Sequence, residues 1–301
     1  MDHLSNYAKF NEIDTFIFDC DGVLWNVESQ VINHANEFVK MLLAAGKRVF
    51  LITNNSARTR RHLLEKSHKL GFDVVEENIV STAWLTAAYF KDVLNHKGKI
   101  YLLGGEGLEK EFQMKGLDYI GPGEASYGDI AAGHAGYLSL KLDPEVNAVV
   151  VGFDPYINYT KNVLAMSYLN DPSCLFVATN TDLVFPSDGP IKIPGTGSIV
   201  SFIAASAGRE PTVVGKPSSS PKEILEAVHG KFDCERTMMV GDRLDTDILF
   251  GRNCGFKTLL VLTGAHGIAD VEERAKKEET KSMVPDFYIE SVGHMRDLLK
   301  N

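Results

Sequence analysis

The chain has 301 residues, of which 44% are hydrophobic, as expected for one large or two medium-sized globular domains. No apolar run approaches the ~20 residues of a membrane-spanning helix, and the polar, acid-bearing residues 1–14 do not resemble a secretory signal. The formal net charge is −9 and no basic block occurs, so we expect no nucleic-acid partner and no membrane partner.

The first third of the chain alternates between strand-like and helix-like patterns. Apolar runs predict strands over residues 15–18 and 48–52. Apolar residues at helical spacing predict helices over residues 29–45, 57–70 and 82–94. Strands that alternate with helices of this length are typical of βαβ units in a mostly parallel sheet.

The middle third has a different pattern, with strands predicted over residues 99–103, 148–153 and 175–179 and a polar, proline-bearing loop over residues 180–195. The first pattern then resumes, with strands predicted over residues 212–214, 237–240, 258–262 and 286–289. We therefore predict an α/β fold with a Rossmann-like, doubly wound parallel sheet core. Residues 1–96 and 208–301 would form this core, and residues 97–207 would form an inserted α/β domain.

Two aspartates, Asp19 and Asp21, follow the first predicted strand. Side chains alternate along a strand, so these two would share a face while Cys20 points away. Carboxylates this close repel one another, and a divalent cation such as Mg²⁺, which prefers oxygen ligands, would relieve the repulsion. Gly22 permits a sharp turn after the strand. An acidic turn without chemistry is the alternative for this motif by itself.

Two other strand ends offer groups that suit an anion. The run Thr53-Asn54-Asn55-Ser56 presents a hydroxyl and amides at a helix start, where phosphate groups bind well. An ordinary helix N-cap is the alternative. Lys216 lies between a glycine and a proline at the end of an apolar strand, where its ammonium could neutralise a phosphate. A solvated loop lysine is the alternative there.

A fourth strand end, after the strand predicted over residues 237–240, carries three acids, Asp242, Asp245 and Asp247. They could complete a magnesium site, and Asp245 could instead cap the following helix. Ligands of open parallel sheets bind at the carboxyl ends of the strands, so we expect all four strand ends to form one site.

The motifs D-x-D-G-x-L-W, T-N-N-S, G-K-P and G-D-R-x-x-T-D occur in this order over essentially the whole chain. Together they resemble the haloacid-dehalogenase (HAD) superfamily of magnesium-dependent phosphatases. They are further similar to its branch of phosphoglycolate, pyridoxal phosphate and 4-nitrophenyl phosphatases. The resemblance implies that residues 97–207 are a C2-type cap that determines substrate specificity, and that the protein is a homodimer through this cap.

The resemblance also implies roles for individual residues. Asp19 would be the nucleophile that forms an aspartyl-phosphate, and Asp21 would be the general acid and then the general base. The phosphate would be bound by Thr53, Asn54, Asn55 and Lys216. The Mg²⁺ would be held by Asp19, the Asp21 carbonyl and Asp242, with Asp247 supporting the site from outside the direct ligands.

We expect the substrate to be a small phosphorylated metabolite of the 2-phosphoglycolate or glycerol phosphate type. The loop over residues 180–195 is the candidate specificity loop, because it is long for a compact domain. Pyridoxal phosphatases carry a histidine where Phe185 aligns, which disfavours a pyridoxal 5′-phosphate substrate. A broad 4-nitrophenylphosphatase or nucleotidase activity is a further alternative.

A non-enzymatic alternative is a receiver-type switch domain, which also gathers acids, a threonine and a lysine at strand ends. Receivers carry no inserted domain and do not arrange their acids as D-x-D-G. The four cysteines form no C-x-x-C pair, which favours free thiols in a reducing cytosol, and we therefore expect a cytoplasmic location. Cys20 lies between the two aspartates, where it would be either an oxidant sensor or a buried structural thiol.

Overall fold

The computed structural model describes residues 1–7, 10–26, 28–123, 133–185 and 190–299. Its strands, numbered in chain order, are β1 (Asp2–His3), β2 (Thr15–Asp19), β3 (Arg48–Thr53), β4 (Ile79–Ser81), β5 (Lys99–Leu103), β6 (Tyr119–Ile120), β7 (Val146–Val151), β8 (Leu175–Ala178), β9 (Thr212–Val213), β10 (Thr237–Gly241), β11 (Lys257–Val261) and β12 (Phe287–Ile289). They form a seven-stranded parallel sheet in the order β1-β12-β11-β10-β2-β3-β4 and a five-stranded parallel sheet in the order β6-β5-β7-β8-β9.

The helices connect these strands in the manner of βαβ units. They are α1 (Ala35–Ala44), α2 (Arg60–Lys69), α3 (Thr82–Ala88), α4 (Glu106–Met114), α5 (His134–Leu138), α6 (Tyr159–Leu169), α7 (Thr196–Ala207), α8 (Ser220–His229), α9 (Leu249–Cys254), α10 (Ile268–Ala275) and α11 (Arg296–Leu299). The predicted α/β class with a parallel core sheet and a separate α/β sheet is therefore confirmed. Within the described ranges, no helix has both the length and the apolar character needed to cross a membrane.

The core sheet reverses its direction of progress at β2. From this strand the chain continues to β3 and β4 on one side, and it later fills the other side with β10, β11 and β12. Ligand sites of open α/β sheets lie at such a switch point, beyond the carboxyl ends of the strands. The carboxyl ends of β2 and β10 therefore mark the expected position of the site.

Strand β2 is buried on both faces, as its continuously apolar sequence requires. Phe16 and Phe18 point to the same side and meet the ring of Phe38 on α1 edge to face, at centroid distances of 6.2 and 6.4 Å. These rings belong to a large apolar cluster that also contains Trp25 and Phe72. The packing fixes the strand whose last residue is Asp19.

Three helices differ in detail from what the sequence pattern indicates. The helix predicted over residues 29–45 begins only at Ala35, because Ser29, Asn33 and His34 have left-handed backbone conformations. The helix predicted over 82–94 changes after Ala88 to a π-helical turn at Tyr89–Val93. The helix near Asp247 likewise opens with a π-helical turn, at Leu244–Ile248.

For one strand, the prediction of the sheet to which it belongs is wrong. The sequence pattern assigns residues 212–214 to the core sheet, but β9 pairs with β8 in the five-stranded sheet, Val177 with Thr212 and Ala178 with Val213. Short edge strands of this length carry too little pattern to specify a partner. The chain leaves this second sheet just before Lys216.

Contacts divide the chain into two compact units, one of Met1–Thr53, Arg60–Val80 and Lys216–Asn301, the other of Asn54–Thr59 and Ser81–Gly215. The second unit includes residues on both sides of 97–207, and on the N-terminal side the segment after β4 packs on α4. Phe90 meets the ring of Phe112, with 6.0 Å between centroids, and Asp92 pairs with Lys115 at 2.5 Å. The assignment of residues 97–207 as a specificity cap stays a prediction.

Candidate active site

The end of β2 and the end of β10 lie side by side in the core sheet. Asp19 is the last residue of β2, and Asp242 follows directly after β10. The register pairs Phe18 with Val240, so the two carboxylates leave the sheet at the same edge. Strand β3 lies on the other side of β2, with Ile52 beside Asp19, and ends at Thr53.

Three carboxylates meet at this edge. One oxygen each of Asp19, Asp242 and Asp247 lies within 4.8 Å of the others. Lys216 reaches into the cluster, with its Nζ 2.5 Å from Asp19 Oδ1 and 2.6 Å from Asp247 Oδ1. The lysine side chain is only 2% exposed. The predicted convergence of these four residues is therefore a feature of the structure.

Burial dominates the electrostatics of the cluster. Burial raises the pKa of Asp19 well above its ordinary value, although the charge of Lys216 opposes the shift. Burial and then the charge of Asp247 raise the pKa of Asp242 to about 7. Burial alone would lower the pKa of Lys216, but the charges of Asp19 and Asp247 outweigh it and raise that pKa. The lysine therefore stays protonated, but its single positive charge does not balance the charge of three carboxylates.

The cluster fits a divalent cation. When all three carboxylates are ionised, the one ammonium leaves two negative charges uncompensated. Asp242 Oδ1 is buried and receives no hydrogen bond within the described part of the chain. Its other oxygen, Oδ2, accepts the backbone N–H of Ala265 at 2.7 Å. A buried, partnerless carboxylate oxygen among other carboxylates is the environment that a hard cation requires.

Asp247 is bound differently. Its Oδ1 receives the Lys216 ammonium, and its Oδ2 accepts the backbone N–H groups of Asp242 and Arg243 at 3.2 and 3.1 Å. Both oxygens therefore have donors before any cation binds. Asp245, the third acid of the motif, pairs with Arg243 at 2.9 Å instead.

The side chain of Asp21 stands apart from the acidic cluster. Its Oδ1 accepts the indole N–H of Trp25 at 2.8 Å and lies 3.7 Å from Lys66 Nζ. At 42% exposure it is much more open than Asp19 at 14%. The two aspartates of the D-x-D-G motif thus have separate environments.

The predicted phosphate-binding run divides between the two units. Thr53 ends β3 and is 5% exposed. In the second unit, Asn54 donates its side-chain amide to Asp182 at 2.9 Å, and Asn55 Oδ1 accepts the N–H of Ala57 at the same distance. Asn55 therefore stabilises the turn after the strand, and α2 begins later than predicted, at Arg60.

The predicted specificity loop is described only at its two ends, since residues 186–189 lie outside the described ranges. Its ends pair with each other, because the N–H of Phe185 donates to Ile193 O at 2.9 Å and that of Gly195 donates to Leu183 O at 2.8 Å. The ring of Phe185 packs edge to face on Phe153, 4.9 Å between centroids.

Two glycines near the cluster, Gly22 and Gly264, leave room for the Asp242 carboxylate, a role that the sequence does not predict. A Cβ at Gly264 would lie 2.0 Å from Asp242 Oδ2, and a Cβ at Gly22 would lie 2.6 Å from the same oxygen. Thr263 ties the two segments together by donating its hydroxyl to Gly22 O at 2.6 Å. No local sequence signal connects residues so far apart in the chain.

Trp25 and Lys66 were also missed as neighbours of Asp21. Trp25 is part of the D-x-D-G-x-L-W motif, where only its apolar character was evident. Cys20, between the aspartates, is 3% exposed, and burial raises the pKa of its thiol well above the ordinary value. Such burial disfavours the reactive thiolate that an oxidant sensor needs.

Two family models match the chain. The model described as haloacid dehalogenase-like hydrolase matches residues 16–118, and a HAD-hydrolase-like model matches residues 213–293. The first match contains Asp19 and Asp21, and the second contains Lys216, Asp242 and Asp247. The matched segments thus contain all the charged residues of the proposed centre.

Relatives match over nearly the full length. The chain is 40% identical to glycerol-3-phosphate phosphatase of Gallus gallus over 98% of this chain and 94% of that protein. It is 38% identical to phosphoglycolate phosphatase 2 of Arabidopsis thaliana over 99% and 97%. The solved p-nitrophenyl phosphatase from Archaeoglobus fulgidus superposes with a TM-score of 0.78 at 29% identity, covering 95% of this chain and 99% of that one.

Taken with the acidic cluster at the strand ends, these matches show that the chain belongs to the HAD-like hydrolases. Within that family it lies in the branch of the glycerol-3-phosphate, phosphoglycolate and 4-nitrophenyl phosphatases. The predicted family is therefore confirmed, and the protein is a phosphatase of this family.

Proposed function

We propose that the protein is a Mg²⁺-dependent phosphatase that hydrolyses a small phosphomonoester through an aspartyl-phosphate intermediate. Glycerol phosphate and 2-phosphoglycolate are the substrates we favour, because relatives with those printed activities match this chain at 38–40% identity over nearly their whole length. The observation that carries the proposal is the convergence of Asp19, Asp242, Asp247 and Lys216, with one buried carboxylate oxygen that receives no hydrogen bond from the described residues.

In this proposal Asp19 attacks the phosphorus, and the bond between phosphorus and the ester oxygen breaks. Asp21 donates a proton to that oxygen, so the alcohol leaves neutral. Asp21 then takes a proton from water as the water oxygen attacks the aspartyl-phosphate, which releases inorganic phosphate and restores Asp19. Over the two steps, the phosphomonoester and one water are converted into the alcohol and inorganic phosphate.

Charge stabilisation would come from groups that are already in place. Lys216 is buried and held by two carboxylates, so its ammonium needs no reorganisation when charge grows on the phosphoryl oxygens. Thr53, Asn54 and Asn55 would add a hydroxyl and backbone N–H groups. This positioning and electrostatic compensation is the main source of catalysis in phosphoryl transfer.

A bound Mg²⁺ would orient the phosphate and neutralise its charge. Asp19, the Asp21 carbonyl and Asp242 are the residues we propose to hold it. Asp247 would position Lys216 and the segment after β10, since both of its oxygens already accept hydrogen bonds.

We assign substrate selection to the second unit, including the loop over residues 180–195, and we infer homodimerisation through residues 97–207 from the family resemblance. Neither assignment affects the chemistry proposed above. Sedimentation of the purified chain would test the dimer, and exchange of the loop with that of a relative would test selection.

The decisive experiment measures phosphate release from 2-phosphoglycolate, glycerol 3-phosphate, pyridoxal 5′-phosphate and 4-nitrophenyl phosphate, with MgCl₂ and with EDTA. We expect release only with Mg²⁺ and the highest kcat/KM on one of the first two esters. Absence of release from every ester would contradict the phosphatase. A stable phosphoprotein without release would instead support a phospho-switch, and a preference for pyridoxal 5′-phosphate would overturn the favoured substrate class.

A further inference from the structure

We infer that Trp25 and Lys66 are positioning residues for Asp21, which they hold so that a single carboxylate oxygen carries the proton. The inference rests on the proposed function, because it assigns a role to the general acid of that mechanism. Both residues belong to the same compact unit as Asp21.

The hydrogen bond from Trp25 is aimed by the core. Its side chain is 1% exposed, and its ring meets Phe72 edge to face at 5.6 Å between centroids and an angle of 78°. The backbone fixes the spacing as well, because the N–H of Gly22 donates to Trp25 O at 2.8 Å. An indole N–H only donates, so the acceptor must be a carboxylate oxygen in a fixed place.

Lys66 approaches the same point from α2. Its Nζ lies 3.7 Å from Asp21 Oδ1 and 4.8 Å from the centroid of the Trp25 ring. A cation over an indole face is attracted to it, so the ring holds the ammonium beside the carboxylate. With 31% of its side chain exposed, Lys66 adds a modest contribution to the stronger indole contact.

Both contacts fall on Oδ1, which leaves Oδ2 to exchange the proton. In the first half-reaction the Oδ2–H bond breaks and its proton passes to the departing ester oxygen, which keeps the electron pair of the broken P–O bond. In the second, Oδ2 takes a proton from the attacking water. A carboxyl group that rotated freely would present this oxygen only part of the time.

The test compares two esters of similar shape, phenyl phosphate and 4-nitrophenyl phosphate. Phenolate needs protonation to leave much more than 4-nitrophenolate does, and kcat/KM reports the step in which it leaves. Trp25→Phe keeps the ring and removes the donor, so we expect kcat/KM to fall about tenfold on phenyl phosphate and less than about threefold on 4-nitrophenyl phosphate. Lys66→Met should lower kcat/KM about threefold on phenyl phosphate and less on 4-nitrophenyl phosphate. Lys66→Arg, which keeps the positive charge, should have nearly the wild-type kcat/KM on phenyl phosphate.

A matched control shrinks a core ring that does not contact Asp21. Phe38→Leu should lower kcat/KM on both esters alike, because Phe38 packs on Phe16 and Phe18. The Trp25 contact has a second readout that does not depend on activity. The chain has two tryptophans and hence two indole N–H resonances, which Trp25→Phe assigns. Asp21→Ala should move the Trp25 resonance upfield and speed its exchange with solvent, whereas Asp21→Asn, which keeps an oxygen acceptor, should largely preserve it.

Equal losses on both esters in Trp25→Phe, or a Trp25 resonance unmoved in Asp21→Ala, would overturn the inference while leaving the phosphatase intact. Failure of the wild-type chain to release phosphate from either ester would instead overturn the proposed function, and with it the inference. The leaving-group selectivity of Trp25→Phe together with the moved resonance would support it.

Discussion

The buried charges of the acidic cluster are compensated unevenly, residue by residue. Lys216 and Asp247 satisfy each other through an ion pair of 2.6 Å, and backbone N–H groups complete the acceptors of Asp247. Asp19 shares the same lysine, and one oxygen of Asp242 has no hydrogen-bond donor among the residues that the structure describes. A buried charge without a partner is costly, so a ligand that supplies the missing positive charge would bind most favourably at this cluster.

Asp19→Asn should lower kcat by at least about 10³-fold, because an amide cannot act as the nucleophile. Phosphate release and circular dichroism on the same samples would measure activity and folding together. Asp14→Asn is the matched control, since Asp14 is half exposed and pairs with Arg236 at 2.6 Å, outside the cluster. Appreciable turnover in Asp19→Asn would remove the proposed nucleophile.

Gly22→Ala should cost both stability and Mg²⁺ affinity. The backbone of Gly22 has φ of +83°, and the added Cβ would meet Asp242 Oδ2 at 2.6 Å. Gly46→Ala separates the two causes, because Gly46 has φ of +72° and no atom of the described part of the chain lies within 4 Å of the new Cβ. Each variant should lose about 1–2 kcal/mol from backbone strain, as measured by urea unfolding.

Only Gly22→Ala should also weaken Mg²⁺ binding, as followed by titration calorimetry. An equal Mg²⁺ affinity in the two variants would show that the acidic cluster tolerates the displacement of Asp242.

At the scale of elements, turns between strand and helix place the charged groups. After β10, the N–H groups of Asp247 and Ile248 both donate to Arg243 O at 3.1 Å, which makes the wide π-helical first turn. This turn directs Asp247 back towards the N–H groups at the end of its own strand. A regular α-helical start would shift that carboxylate along the helix surface by a residue.

The second unit contains its own buried ion pair, which joins the segment after β7 to α6. Lys161 Nζ lies 2.6 Å from Asp154 Oδ2, and both side chains are fully buried. Lys161→Met should destabilise the protein by about 3–5 kcal/mol, because Asp154 would then be a buried charge without a partner.

The double variant Lys161→Met with Asp154→Leu should recover most of that loss, since it buries no charge. Urea unfolding of the two variants and the wild type would give the free energies. A double variant no more stable than Lys161→Met would indicate that the pair is required for packing and not for charge balance alone.

At the scale of the whole molecule, cation binding and folding stability are linked through pH. The pKa of Asp242 is raised to about 7 without a cation, and an unfolded aspartate titrates at about 4. Between these values the folded carboxyl keeps a proton that the unfolded one has lost. The stability of the cation-free protein should therefore fall as pH rises from about 4 to about 7.

Mg²⁺ requires the ionised carboxylate, so it should raise the melting temperature more at pH 8 than at pH 5.5. At 100 times its Kd the ion would stabilise the folded state by about 2.7 kcal/mol. Thermal unfolding with MgCl₂ and with EDTA at the two pH values measures the difference, and Asp242→Asn should reduce its pH dependence, leaving the part that comes from Asp19. Equal shifts at both pH values would contradict the link to Asp242.

The sequence by itself determined the class of fold, the two-sheet arrangement and the acidic and basic residues of the candidate site. Apolar runs such as 15–18, alternating helices and motifs at strand ends are local, so they can be read without knowing any contact. The same locality explains the errors, since residues 212–214 look like any short apolar strand and only pairing with β8 assigns their sheet.

The tertiary structure alone decided which groups touch. The indole of Trp25 reaches Asp21 from four residues away, whereas Lys66 beside Asp21 and Gly264 against Asp242 come from separate segments of the chain. Their proximity depends on the packing of α2 and of the segment after β11, which no local pattern encodes. Asp242 Oδ1, which no donor in the described ranges satisfies, is likewise a property of the packed core, because only burial removes the water that would otherwise bind it.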